Sequence, residues 1–272
     1  MSVKGIDYDK CIDCGACLRA CPGLERHYHR DMAQNKIVYQ DSDKRCIKCG
    51  QCIAQCPEDA IIHEGIGDSF TFEKINDLPS LIPFDTLFNF LAATRSVRRY
   101  KAQKVPKELL EKVLSAMSYA PTGANMRSET FYVISDDNML SELSKRVRNA
   151  LNSDPSLKDQ FGAQFDSLSK YFKNPIYFDA PHVIFVASPF NMIMEGFNIG
   201  NIITYGRLAA QSLGIGTCWN GWSQLAIQVD PTIKKLIKLR GHVIAAFTIG
   251  YPGEDLKYFR TPPRKKDNIK WI

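Results

Sequence analysis

Two stretches near the start of the chain, CIDCGACLRACP (11–22) and CIKCGQCIAQCP (46–57), decide how the first part of the molecule folds. They agree at every cysteine, at the glycine between the second and third cysteine, and at the closing proline. Each stretch therefore has the pattern C-x2-C-x2-C-x3-C-P. This internal repeat predicts two copies of one small structural unit that cysteine chemistry, rather than helical periodicity, organises.

The spacing of these cysteines is typical of proteins that bind cubane iron–sulfur clusters. Three cysteines at three-residue intervals can bind three corners of one cubane, whereas the fourth points away and binds the other cluster. Zinc is the alternative, but structural zinc sites use four ligands from separated C-x2-4-C pairs, which leaves two cysteines of each repeat unexplained. The pattern thus predicts one [4Fe–4S] cluster on Cys11, Cys14, Cys17 and Cys56, and a second on Cys21, Cys46, Cys49 and Cys52.

Residues 4–63 resemble the bacterial-type ferredoxins that carry two such clusters. Eight of the nine cysteines lie within the first 56 residues, and the N-terminal segment MSVKGIDYDKC has no apolar export signal, which favours metal binding over disulfides. The chain departs from these ferredoxins in the 24 residues between Cys21 and Cys46. We interpret this segment as an inserted surface loop in which His27 and His29 are solvated.

Length and charge favour two domains. The chain has 272 residues and a formal net charge of +6, but residues 1–83 carry a net −3 and the remainder a net +9. We predict a ferredoxin domain with a linker at 1–83 and a second domain at 84–272. The basic excess of the second domain suits a phosphorylated cofactor, whereas the scattered basic residues match no nucleic-acid motif. No apolar stretch is long enough to span a membrane, so we expect a cytoplasmic protein.

Beyond residue 83 the hydrophobic pattern predicts mixed α and β structure. Short apolar runs rich in β-branched and aromatic residues predict strands, and apolar residues at helical spacing predict helices. The predicted strands cover 130–135, 182–188 and 242–250, and the predicted helices cover 85–93, 106–120, 138–150, 156–173 and 195–213. The fold class is therefore α+β.

Three segments of this second domain carry a further resemblance. They are TRSVRRY (94–100), APTGANMRSETFYVI (120–134) and LGIGTCWNGW (213–222). In composition and order they resemble the FMN-binding segments of the nitroreductases, and the resemblance covers residues 85–272. It implies an α+β sandwich that binds FMN, and a homodimer with FMN at the subunit interface.

The resemblance also implies which residues contact FMN. Arginines can bind the phosphate and the pyrimidine edge, Asn125 can pair with the polar ring edge, and glycines let the backbone approach the ring. A late basic pair, Arg264 and Lys265, matches a second phosphate contact. The full predicted set is Arg95, Ser96, Arg98, Pro121, Thr122, Gly123, Asn125, Arg127, Gly214, Gly216, Thr217, Arg264 and Lys265.

The sequence assigns no catalytic side chain, because FMN N5 would carry the chemistry. Where nitroreductases commonly have N-x-Q-P-W, this chain has Asn125-Met126-Arg127-Ser128-Glu129, and this departure leaves the nature of the substrate pocket open. Cys218 is interpreted as a buried small hydrophobe rather than a nucleophile, and Trp219 and Trp222 as core aromatics.

The functional hypothesis is an iron–sulfur flavoprotein oxidoreductase. A low-potential donor such as a ferredoxin would reduce the two clusters, and electrons would pass through FMN to a nitroaromatic or quinone-like acceptor. Two alternatives remain open. NAD(P)H could be the direct reductant beside an accessory ferredoxin domain, or the protein could be a non-catalytic electron carrier or redox sensor.

Overall fold

The computed structural model describes residues 2–65, 67, 69–72, 77–254, 260–265 and 269–272. Its contacts divide the chain into two compact units. The first consists of Met1–Leu81 with Gly123–Met126, and the second of Ile82–Thr122 with Arg127–Ile272. The division in the chain at residue 81 lies two residues from the boundary that the sequence predicts.

Two small antiparallel ribbons and short helices form the first unit. Strand β1 pairs with β4, and β2 pairs with β3 as a hairpin. The elements are β1 (Ser2–Ile6), α1 (Ala16–Ala20), β2 (Tyr28–Asp31), β3 (Lys36–Tyr39), α2 (Gln51–Ala54), β4 (Ile61–Glu64) and α3 (Leu78–Leu81). Its core combines aliphatic side chains with the half-buried or buried cysteines of both repeats.

The repeated glycines explain why each cysteine repeat turns where it does. Gly15 and Gly50 precede α1 and α2, and both have φ of 76°, in the left-handed region. A side chain is strained in this conformation, whereas glycine adopts it readily. Each glycine therefore lets the chain reverse between the second and third cysteine, and the third cysteine then lies in the following helix.

The segment between Cys21 and Cys46 differs from the predicted solvated loop. It contains a single-turn helix, Leu24–Arg26, followed by the β2–β3 hairpin, in which Tyr28 pairs with Tyr39. His27 is only 5% exposed, so its predicted solvation was wrong. The hydrophobic residues Tyr28 and Ile37 pack into the core of the unit, which accounts for the order of the hairpin.

A four-stranded antiparallel sheet in the order β5-β6-β8-β7 forms the centre of the second unit. The strands are β5 (Thr130–Ile134), β6 (His182–Ser188), β7 (Gly216–Trp219) and β8 (Val243–Gly250). The helices are α4 (Phe84–Ala92), α5 (Lys107–Ser118), α6 (Asp137–Ser153), α7 (Pro155–Leu168), α8 (Ile193–Ser212), α9 (Gly221–Val229) and α10 (Ile233–Leu236). The α+β fold class is confirmed.

Side chains on the two faces of this sheet belong to two separate hydrophobic clusters. Along β6, Val183 and Phe185 join residues of α6, α7 and α9, whereas Ile184 and Val186 join residues of α5 and α8. Successive side chains of a strand point to opposite faces, so a strand covered on both faces is apolar throughout. All seven residues of β6 are accordingly buried.

One predicted helix is shorter than expected, and one strand was not predicted. The helix expected over 156–173 ends at Leu168, and the glycine-rich segment 213–222 contains strand β7 before α9 begins. Trp222 packs edge-on against Phe165 with ring centroids 5.0 Å apart, as a core aromatic, whereas Trp219 is 36% exposed. No helix within the described ranges is both long and apolar enough to cross a bilayer.

Candidate functional site

The first unit contains two cavities, each lined by four cysteines. One is lined by Cys11, Cys14, Cys17 and Cys56, and the other by Cys21, Cys46, Cys49 and Cys52. These are the two sets that the interlocked pattern predicts, with the fourth cysteine of each repeat in the cavity of the other repeat. Within the described residues, no three His, Cys, Asp or Glu side chains converge on a single-ion site.

We name the first the Cys56 cavity and the second the Cys21 cavity. Backbone amides already point at sulfur in the former, since Asp13 N lies 3.4 Å from Cys11 Sγ and Ala60 N lies 3.2 Å from Cys56 Sγ. Asp41 orders the loop that leads into the Cys21 cavity, because its Oδ1 accepts from Arg45 N and Cys46 N.

The burial of the thiols has an electrostatic consequence. Burial raises the pKa of Cys17 to about 11, and it also raises the pKa of Cys21 and that of Cys52. A buried thiolate without a counter-charge is costly, so these groups keep their protons in the metal-free chain. Cluster iron would supply the missing positive charge and displace the protons.

The second unit has a cavity of about 240 Å³ at the end of α4, beside α8 and β7. Two cationic side chains, Arg95 and Arg207, line it, and none of the described lining residues is acidic. Its other lining residues are Ala93, Thr94, Val97, Gln211, Gly214, Ile215, Gly216, Thr217 and Pro252. A cavity with two guanidinium groups and no carboxylate suits an anionic group such as a phosphate.

Hydrogen bonds hold both arginines in place. Arg95 donates through one terminal nitrogen to the carbonyl oxygens of Ala92 and Thr94, at 2.7 and 2.6 Å, and so caps the end of α4. Arg207 Nε lies 3.3 Å from Thr217 Oγ1, and one of its terminal nitrogens lies 3.5 Å from Ser96 Oγ. Arg207 therefore connects α8 to the segment 94–100 through Ser96 and to β7 through Thr217.

The segment 94–100 is fixed against the sheet at two points. Val97 N donates to Thr217 O at 2.9 Å, next to the parallel bridge between Ser96 and Thr217. The Tyr100 hydroxyl donates to Val97 O and lies 2.7 Å from Thr248 Oγ1, and its burial raises the pKa of Tyr100. Both contacts fix the backbone that carries Arg95 and Ser96.

Some predicted FMN contacts lie apart from this cavity. Arg98 is exposed, with its guanidinium 5.9 Å from the Phe178 ring, and Arg264 and Lys265 are exposed in the tail. Pro121 O accepts from Asn201, and Thr122 Oγ1 accepts from Arg127 N. The assignment of these residues to FMN stays a prediction.

The segment Gly123–Met126 groups with the first unit. There, Asn125 Nδ2 donates to Lys48 O at 2.7 Å. Ala124, Asn125 and Arg127 all have positive φ, between 43° and 53°, so this loop is sharply turned. The predicted contacts of Gly123, Asn125 and Arg127 with a flavin likewise remain predictions.

Three polar residues of α8 were not predicted from the sequence. Arg207 and Gln211 line the cavity from α8, where Gln211 Nε2 also donates to Phe90 O at 2.7 Å. Glu195, on the same helix, is fully buried, and its carboxylate accepts from Asn198 Nδ2 at 3.2 Å and from Ser128 Oγ at 3.4 Å. The available signal was that Arg207 and Glu195 are the two charged residues of an otherwise uncharged helix.

Comparisons with known proteins identify both units. The family model described as "Nitroreductase family" matches residues 91–251, and that described as "4Fe-4S dicluster domain" matches residues 4–57. The chain belongs to the nitroreductase family. Within that family it is a fusion, in which a dicluster ferredoxin domain precedes the nitroreductase domain, as the sequence predicts.

Two named relatives of this nitroreductase-family chain each match more than half of its length. A Methanothermobacter thermautotrophicus protein, provisionally named NADH dehydrogenase/NAD(P)H nitroreductase, is 28% identical over 167 residues, 59% of this chain and 74% of the relative. A Caenorhabditis elegans iodotyrosine dehalogenase 1 homolog is 21% identical over 67% of this chain and 59% of its own length.

Solved structures of nitroreductases share the fold of the second unit. A Bacteroides fragilis nitroreductase with bound FMN aligns with a TM-score of 0.59 and 24% identity, covering 68% of this chain and 98% of that protein. A Desulfitobacterium hafniense nitroreductase with bound FMN gives a TM-score of 0.55 and 21% identity, with coverages of 68% and 97%. At these identities the likeness establishes the fold alone.

Proposed function

We propose that this protein transfers electrons from a low-potential donor to an organic acceptor, with two [4Fe–4S] clusters and FMN as its redox groups. The observation that carries the proposal is the pair of four-cysteine cavities in a chain that belongs to the nitroreductase family. A simple NAD(P)H-dependent reductase has no evident need for two one-electron carriers. A nitroaromatic or a quinone-like compound is the proposed acceptor.

The cysteine cavities suit the clusters in number, ligand type and protonation. Cys11, Cys14, Cys17 and Cys56 would hold one, and Cys21, Cys46, Cys49 and Cys52 the other. Thiolate is the usual ligand of [4Fe–4S] clusters, and backbone N–H groups directed at sulfur are among the groups that set their potentials. The amides of Asp13 and Ala60 are such donors.

The cavity of the second unit suits the phosphate-bearing part of FMN. Arg207 and Arg95 supply positive charge, and Ser96 and Thr217 supply hydroxyl groups beside it. When bound, FMN supplies the exchange between one-electron carriers and two-electron transfer to an organic molecule. The residues of this chain would bind and orient it, and Gly214, where an added Cβ would meet nothing within 4 Å, leaves the backbone approachable there.

A homodimer is part of the proposal. The apolar residues Phe84 and Phe88 of α4 are 74% and 56% exposed, and Trp271 near the C-terminus is 92% exposed. Contiguous exposed apolar surface marks interaction sites, and the Phe84 and Phe88 rings stack with centroids 5.9 Å apart. Of the terminal stretch DNIKWI, which the sequence assigns to subunit packing, residues 267 and 268 lie outside the described residues.

NAD(P)H as the direct reductant is the second candidate. The name of the Methanothermobacter thermautotrophicus relative, which includes NAD(P)H nitroreductase, favours it. The deciding experiment is an anaerobic titration of the cluster-reconstituted, FMN-loaded protein, followed by absorption near 450 nm. Reduced ferredoxin should bleach the protein, and a nitroaromatic should restore the colour, whereas NAD(P)H should have little effect. If NAD(P)H bleaches the protein and reduced ferredoxin does not, NAD(P)H becomes the favoured direct reductant.

Removal of the Arg207 guanidinium should weaken FMN binding. A charge-assisted hydrogen bond contributes about 1.5–3 kcal/mol, so Arg207→Ala should raise the Kd for FMN by roughly tenfold or more. Quenching of FMN fluorescence measures this Kd. Arg148→Ala is the matched control, because Arg148 pairs with Asp166 at 2.7 Å, and neither residue lines the cavity. Equal Kd values for both variants would exclude Arg207 from the FMN site.

A further inference from the structure

The β2–β3 hairpin brings two tyrosine hydroxyls into the interior of the first unit, where they lack hydrogen-bond partners among the described residues. Tyr28 and Tyr39 are directly paired across the hairpin, and their ring centroids are 5.0 Å apart. Both hydroxyl oxygens are buried, and neither has a hydrogen-bond partner among the described residues. A buried hydroxyl without a hydrogen-bond partner is destabilising, so two adjacent ones need a physical reason.

Both tyrosines line the Cys21 cavity, together with the buried His27. The Tyr28 hydroxyl lies beside the sulfur of Cys52, and the Tyr39 hydroxyl lies beside that of Cys46. A phenolic hydroxyl can donate a hydrogen bond, so both tyrosines present a donor next to cysteines of this cavity.

Among the described residues, none that lines the Cys56 cavity is a tyrosine. Apart from its cysteines, the described lining consists mainly of aliphatic residues such as Ile6, Ile37 and Ile61, with Glu58 as its one charged member. The nearby Tyr8 does not line it, and its hydroxyl donates to Ile37 O at 3.0 Å. The hairpin thus supplies side-chain hydroxyl donors to the Cys21 cavity, whereas the donors directed at sulfur in the Cys56 cavity are the backbone amides of Asp13 and Ala60.

We propose that Tyr28 and Tyr39 donate hydrogen bonds to sulfur atoms of the cluster in the Cys21 cavity, which makes it the higher-potential cluster of the two. The inference rests on the proposed function only in requiring that both clusters are bound. In this proposal, the hairpin between Cys21 and Cys46 serves to raise the potential of one cluster. Tyr28 and Tyr39 are positioning and tuning residues rather than catalytic ones.

The direction of the effect follows from electrostatics. Reduction adds one electron to a cluster that already carries negative charge, and a donated hydrogen bond stabilises the more negative state more strongly. Hydrogen bonds to the sulfurs are among the determinants of cluster potential. When both clusters are available, the first electron should therefore reside on the cluster in the Cys21 cavity.

The test is a potentiometric titration of the full-length, cluster-reconstituted protein, monitored by electron paramagnetic resonance. The unsubstituted protein should show two separate one-electron steps. Tyr28→Phe and Tyr39→Phe should each make reduction at the higher-potential step about tenfold less favourable, a shift of about 59 mV for one electron. The lower-potential step should change little. Tyr8→Phe is the matched control, because it removes a hydroxyl already bonded to a carbonyl, and it should shift neither step.

Iron and sulfide contents separate the possible failures. If the unsubstituted protein binds no clusters, the proposed function itself is wrong. If both clusters are bound but titrate together, or if Tyr28→Phe and Tyr39→Phe shift neither step, only the tuning inference is overturned. If one of these two variants loses its clusters, the other variant still tests the inference. The potential difference between the two reduction steps of the unsubstituted protein tests it as well.

Discussion

Cys56→Ser should remove one cluster and leave the other, so that iron and acid-labile sulfide fall from about eight to about four atoms of each per chain. Cys56 lines the cavity of Cys11, Cys14 and Cys17, although it belongs to the second repeat in the sequence. A cluster that loses one of four thiolates at a half-buried site loses both a bond and the neutralisation of its charge. Chemical quantification of iron and sulfide measures the result.

Double variants distinguish this interlocked arrangement from one cluster per repeat. Cys11→Ser combined with Cys56→Ser should lose no more iron than either single variant, because both residues would serve one cluster. Cys46→Ser combined with Cys56→Ser should lose both clusters. The opposite pattern would assign each repeat its own cluster. Cys218→Ser is the matched control, since Cys218 is buried in β7 of the second unit and should leave both clusters in place.

Gly216→Ala should destabilise the second unit and weaken FMN binding. A Cβ atom at this position would lie 2.7 Å from Val97 Cγ2 and 2.8 Å from Val97 Cβ. Val97 cannot withdraw easily, because its backbone N–H is bonded to Thr217 O at 2.9 Å and its side chain is buried. Overpacking of this kind costs about 1–3 kcal/mol. Denaturant unfolding measures the stability, and FMN fluorescence measures the Kd.

The control for this prediction is a glycine with room for a side chain. In Gly162→Ala, the added Cβ would meet its nearest neighbour, Lys158 Cγ, at an ordinary 3.5 Å, in α7. Replacing a helical glycine by alanine should leave FMN binding unchanged and raise the stability by up to about 1 kcal/mol. If Gly216→Ala behaves like Gly162→Ala, the contact with Val97 does not hold the cavity together.

Much of the secondary structure of the second unit was predictable because local periodicity determines it. The run HVIFVAS (182–188) predicts a buried strand, and β6 has those bounds, because a strand covered on both faces needs apolar residues throughout. The run GTCW was not predicted as a strand. It is four residues long and begins after a left-handed glycine, Gly214, so its sequence is equally typical of a turn.

Some residues that line the cavity of the second unit were predictable from the sequence, and others were not. Arg95 and Gly216 were predicted from the segments that resemble nitroreductases, and both line the cavity. Arg207 was not predicted, because a single arginine in a long apolar helix carries no local signal of its partners. Its contacts with Ser96 and Thr217 join residues 111 and 10 positions away in the chain.

The sequence by itself determined the chemistry of the first unit and the family of the second. Cysteine spacing limits which sulfurs can reach one cubane, and this is a property of a few consecutive residues. Only the tertiary structure revealed that the segment between Cys21 and Cys46 is an ordered hairpin with two buried hydroxyls beside one cavity. The reason is physical: the burial of Tyr28 and Tyr39 depends on strand pairing and on packing against distant residues such as Val3 and Ile53. Local sequence patterns do not encode such contacts.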